Sequence, residues 1–215
     1  MAKNTEIKQP HLILCEGEDA KYYLMELLKF FIAQDPVFEN YQALNFGGNP
    51  DLKNYLNVIR NAEGYDRVKT IFVIRDAEKD AQGATQSIKD AFLRNNFSCA
   101  SASNVISKEG TPRTGFTLFP SCSDKLENGT LEDLCLRTLS KKQSYDTLLK
   151  ADSLVKDFCF KRPHKNLLHT YFSLTDKYVT LKIGEAAKAG AFDLMCPEVE
   201  SLRYFLAQAF CCKDF

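Results

Sequence analysis

The sequence predicts an α/β fold, a parallel sheet flanked by helices with a C-terminal helical extension. Three observations carry this. Short apolar runs of strand character alternate with segments of helical spacing through roughly the first 125 residues, the order that yields a parallel sheet with right-handed crossovers. Two of those runs end in acidic clusters, Glu16-Gly17-Glu18-Asp19 and Asp76-Ala77-Glu78-Lys79-Asp80. From Thr130 onward the apolar spacing is helical.

Residues 11–15 are predicted as a short buried strand. The acids that follow open a helix whose apolar face is Tyr22, Tyr23, Leu24, Leu27, Leu28 and Phe31, and Pro36 closes that region. Residues 41–46 form the second strand, turned by Gly47-Gly48, and residues 51–60 carry helical spacing through Leu52, Tyr55, Leu56 and Ile59. Residues 70–74 are β-branched and aromatic, bounded by charge, and make the third strand. Residues 84–96 are amphipathic, and residues 116–119 are a fourth strand ended by Pro120. Helices are predicted over residues 131–139, 145–160, 167–182 and 198–210, with Pro163 and Pro197 as breaks. The division is an α/β domain over residues 1–125 and a helical extension over 126–215.

Bulk properties narrow the function. Of 215 residues 45% are hydrophobic, including 16 Phe and 9 Tyr, enough for a sizeable core. Lys plus Arg and Asp plus Glu each total 28, so bulk charge does not drive nucleic-acid binding, although a local basic patch beside an acidic site remains open. The 8 cysteines include no Cys-x-x-Cys pair, and His11, His164 and His169 lie near no cysteine pair that would make a zinc site. Most of them read as reduced core cysteines of a cytoplasmic protein. The polar N-terminus is unlike a signal peptide, and no apolar run approaches the ~20 residues that cross a bilayer.

In a parallel sheet, sites form at the carboxyl ends of the strands, and both acidic clusters fall there. If the third strand runs through Glu78, Asp76 and Glu78 project to one side, and Glu16 arrives from its own strand. At an effective dielectric of ~20, two such charges ~4 Å apart repel by about 4 kcal/mol. A hard divalent cation, Mg²⁺ or Mn²⁺, removes that repulsion and suits oxygen ligands. Gly17 clears the space beside Glu16. Asp80 is either a third acid or a helix cap. Glu132 and Asp133 are either second-metal ligands or first-turn acids favoured by the helix dipole. The run Lys161-Arg162-Pro163-His164-Lys165 reads as a solvated loop with phosphate contact as the competing role, and Lys177 and Lys182 are further phosphate candidates. By alternation Arg75 points away from Asp76, as a packing or pairing residue. His11 is structural.

Leu12-Ile13-Leu14-Cys15-Glu16-Gly17 resembles the first Toprim motif, an apolar strand ending in Glu-Gly. Ile71-Phe72-Val73-Ile74-Arg75-Asp76-Ala77-Glu78 resembles the second, ending in Asp-x-Asp. Toprim domains occur in topoisomerases, primases, recombination proteins and OLD-type (overcoming-lysogenization-defect) nucleases. Residues 74–77, 129–136 and 186–194 resemble segments of a stand-alone, Toprim-related bacterial family of unknown function. The resemblance implies a Toprim-like domain in which Glu16 moves a proton and Asp76 and Glu78 hold Mg²⁺. Glu78 stands where a second Asp is usual, and the acid that usually follows Glu-Gly is displaced to Asp19.

The expected function is Mg²⁺-dependent cleavage of nucleic-acid phosphodiesters, with Glu16 catalytic and Asp76, Glu78, Asp80 and Glu132 toward metal. The alternative is a non-catalytic Toprim protein that binds nucleic acid, a nucleotide or a partner ATPase. No Gly-x-x-x-x-Gly-Lys-Ser/Thr loop is present, so an ATPase would be another chain.

Overall fold

The computed structural model describes residues 6–48, 51–139 and 145–210. Five strands form one sheet: β1 (His11–Glu16), β2 (Tyr41–Gly47), β3 (Thr70–Asp76), β4 (Val105–Ile106) and β5 (Arg113–Phe119). Their spatial order is β2-β1-β3-β5-β4. β1 is parallel to both β2 and β3, and β3 is parallel to β5. Only β4 is antiparallel, set against Phe116 and Gly115 of β5. Two residues are too short to show a period, so the sequence offered no strand there.

The helices are α1 (Gly17–Ile32), α2 (Leu52–Arg60), α3 (Ala81–Arg94), α4 (Leu131–Arg137), α5 (Tyr145–Asp157), α6 (Pro163–Ser173), α7 (Ile183–Lys188) and α8 (Pro197–Phe210). Alternating strand residues feed two cores. Leu12, Leu14, Ile71 and Val73 pack with α2 and α3. Ile13, Cys15, Phe72 and Ile74 pack in a larger cluster with α1 and the helices after residue 130. The helical extension therefore shares its core with the sheet, and Phe72 meets Phe205 of α8 edge-on at 5.5 Å.

Two expectations for the extension change. Pro163 starts α6 rather than merely separating two helices, because a helix's first turn has no use for the missing N–H. The predicted helix over 167–182 ends at Ser173, where the chain turns so that Tyr178 is buried against Phe172. A separate short helix, α7, follows.

The chain leaves β1 toward β2 on one side and crosses to β3 on the other. The switch point of the sheet therefore lies between the carboxyl ends of β1 and β3, where such folds open a crevice. Glu16 and Asp76 are the last residues of those two strands.

Candidate functional site

Glu16 and Asp76 share one sheet edge but not one face. Cys15 is in register with Ile74, which sets Glu16 beside Arg75. Alternation turns both toward the α2/α3 side, and Asp76 toward the α4 side. Arg75 is buried, and its Nε lies 3.2 Å from Glu16 Oε2. The same Nε donates to the backbone carbonyl of Asp76 at 3.3 Å. Arg75 thus ties the two strand ends together.

Asp76 looks toward α4. Its Oδ1 accepts a hydrogen bond from the Leu131 N–H at 2.8 Å. Burial pushes the Asp76 carboxyl up to about 7; Glu132, Glu16 and Glu78 push the same way, and the Leu131 N–H opposes them. Glu132, Glu16 and Glu78 thus all act on Asp76; the sequence led to the expectation of three converging carboxylates, Glu16, Asp76 and Glu78, with Glu132 left open between a metal ligand and a first-turn acid.

Glu78 is the main departure. The strand ends at Asp76 and does not run through Glu78. Glu78 is exposed and has a positive φ of 55°. The cause is a non-local backbone pairing: Glu78 N–H donates to Gly129 O at 2.8 Å, and Gly129 N–H donates to Glu78 O at 2.7 Å. Gly129 itself has φ +141°, and a Cβ there would lie 2.9 Å from both Asp133 Oδ2 and a Pro120 ring carbon. Asp80 takes the capping role: its Oδ1 accepts from Gly83 N–H at 2.9 Å as the N-cap of α3.

Glu132 and Asp133 sit in the first turn of α4, both buried. Asp133 completes a capping box, accepting from Thr130 N–H at 2.8 Å and Thr130 Oγ1 at 3.1 Å. Its other oxygen pairs with His164 Nδ1. Glu132 Oε1 lies 3.2 Å from Lys165 Nζ. Burial works to raise the Glu132 carboxyl, but its own N–H, the Thr130 hydroxyl and Lys165 together hold it below its ordinary value.

These residues enclose a cleft of about 580 Å³. Its lining brings together Asp76, Glu78, Glu132 and Asp133 with Lys79, Lys161, Arg162, His164 and Lys165. Among the described residues, no three His, Cys, Asp or Glu side chains are placed to hold an ion by themselves. The donor chemistry nevertheless fits a hard cation. Mg²⁺ is commonly held by one or two carboxylates, with water and substrate phosphate completing its shell. Asp76, a partly buried carboxylate raised first by desolvation and then by its acidic neighbours, is the group that a cation would relieve.

The family model described as "Protein of unknown function (DUF3226)" matches residues 10–211. The chain belongs to this family. No curated protein and no solved structure matches it. The DUF3226 match covers both the sheet and the helices that close the cleft.

Within this DUF3226 chain, residues 161–165, read from the sequence as a solvated loop or a phosphate contact, are exposed, but Pro163 already begins α6, and His164 and Lys165 meet Asp133 and Glu132 of α4. The only local signal of that meeting was the density of the basic run. Lys177 and Lys182 do not line the cleft. His11 is buried, with Nδ1 2.8 Å from Thr70 Oγ1.

Proposed function

We propose that this protein cleaves nucleic-acid phosphodiesters with the help of a divalent cation. The observation that carries the reading is the cleft itself, which brings Asp76, Glu78, Glu132 and Asp133 together with Lys161, Arg162, His164 and Lys165 at the carboxyl end of β3. Asp76 and Glu78 would hold Mg²⁺ or Mn²⁺, with Glu132 beside them. Such a cation supplies Lewis-acid stabilisation of a phosphoryl oxygen. Lys161 and Arg162 bind backbone phosphates, and their charge is local to this cleft in a chain of zero net charge. The Toprim resemblance gives Glu16 a proton-transfer role; here Glu16 pairs with Arg75 at the neighbouring strand end and does not line the cleft, so the triple variant tests whether it takes part. The test is a cleavage assay on single-stranded, double-stranded and supercoiled DNA and on RNA, with Mg²⁺ and with Mn²⁺, comparing wild type with a triple variant of Glu16, Asp76 and Glu78.

One observation favours the alternative of a non-catalytic binding protein, including one that serves a partner ATPase. Glu16 and Glu132 are each matched to a protein cation, Arg75 and Lys165, and Asp133 is engaged by His164, so much of the acidic character is taken up within the chain. On that reading wild type and triple variant bind nucleic acid equally and neither cleaves it, with or without a co-purifying ATPase.

A further inference from the structure

We infer that His164, oriented by Asp133, is a proton-transfer group of the cleft. The inference rests on the phosphodiester-cleavage reading above and adds to it a residue that the Toprim resemblance does not supply.

Three observations converge. His164 lines the cleft together with Asp76 and Glu78, whereas Glu16 is not among the residues that line it. His164 Nδ1 is engaged by Asp133 Oδ1, and Asp133 is fixed in turn by the Thr130 N–H and hydroxyl. Asp133 is buried and His164 exposed, so the carboxylate is an anchor and the ring a working surface. A carboxylate on Nδ1 selects the tautomer that carries its proton there and leaves Nε2 as the acceptor. This is the base-and-orienter arrangement used in hydrolytic sites on unrelated folds.

The step balances simply. A water oxygen forms a bond to phosphorus while one of its protons passes to His164 Nε2, and Asp133 stabilises the imidazolium. The bond from phosphorus to the leaving oxygen breaks, and that oxygen takes a proton from the imidazolium or from solvent. The products are an alcohol and a phosphate monoester. Asp133 touches no reacting atom and is a positioning residue.

The test uses the full chain with Mn²⁺, on single-stranded DNA and on bis(p-nitrophenyl) phosphate. His164→Ala is expected to lower kcat by about 10²–10⁴-fold with KM changed only a few-fold, and added imidazole to restore part of the rate. Asp133→Asn should lower kcat without imidazole rescue. Because Asp133 also caps α4, long-range ¹H–¹⁵N NMR of the wild-type His164 ring gives a readout that needs no turnover. It should show a proton on Nδ1, and Nε2 should shift on titration with inorganic phosphate. A wild type that cleaves while His164→Ala retains its kcat, or loses only affinity, overturns this inference and leaves the cleavage reading intact. A proton found on Nε2 overturns it too. A wild type that cleaves neither substrate overturns both.

Discussion

Asp76 Oδ1 accepts a hydrogen bond from the backbone N–H of Leu131, 2.8 Å away and 55 residues further along the chain. This bond joins the carboxyl edge of the sheet to the helix that brings Glu132 and Asp133 into the cleft. It also places a carboxylate where burial and three acidic neighbours oppose its charge.

Stability should therefore depend on pH through Asp76. Its folded-state pKa of about 7 lies above the ordinary 3.8, so the fold favours the protonated form. That contribution is complete below the ordinary value and is lost as pH rises to about 7, a change of at most roughly 4 kcal/mol. Asp76→Asn keeps an acceptor for Leu131 and removes the charge. In EDTA, urea denaturation should show the variant gaining stability relative to wild type between pH 4 and pH 8. An advantage that does not vary with pH would remove the buried charge from the account.

The acids should separate by role in metal binding. Asp76→Asn should lose Mn²⁺ binding in calorimetry, and Glu78→Gln should weaken it. Asp80→Ala should leave it unchanged while lowering stability by about 1 kcal/mol, the usual cost of losing an N-cap. Loss of Mn²⁺ binding in Asp80→Ala would return Asp80 to the ligand set.

Arg75 and Glu16 form a pair in which the arginine is buried at 3% exposure. Removing one partner of a buried pair costs about 3–5 kcal/mol, because the other charge is stranded. Arg75→Met should destabilise by about 3 kcal/mol, toward the lower end because Glu16 is only partly buried. Adding Glu16→Gln should recover part of that loss. Independent, additive effects in the double-mutant cycle would show that the pair is not coupled.

Much of this site was legible in the sequence, and the limits have physical causes. The strand ends that carry Glu16 and Asp76 follow from apolar runs buried on both faces. That Arg75 points away from Asp76 follows from alternation. What local pattern could not show is pairing over long separations. Glu78 leaves the strand because its backbone pairs with Gly129, and residues 161–165 line the cleft because α6 docks on α4. Gly129 was visible only as part of a family segment, although its φ and its crowding by Pro120 leave no room for a Cβ.

The basic residues of the cleft should read as phosphate contacts. Lys161→Ala and Arg162→Ala should each weaken single-stranded DNA binding and lower the dependence of log K on log salt by about 0.7. Unchanged slopes would place both residues outside the nucleic-acid path.

The most direct measurement is cleavage of single-stranded and supercoiled DNA by wild type and by Asp76→Asn, each with Mn²⁺ and with EDTA. Cleavage is predicted for wild type with Mn²⁺, abolished by EDTA and reduced at least 100-fold, on the order of one catalytic group's contribution, in Asp76→Asn. Equal cleavage by wild type and Asp76→Asn, or cleavage that persists in EDTA, would contradict a metal-assisted site centred on Asp76.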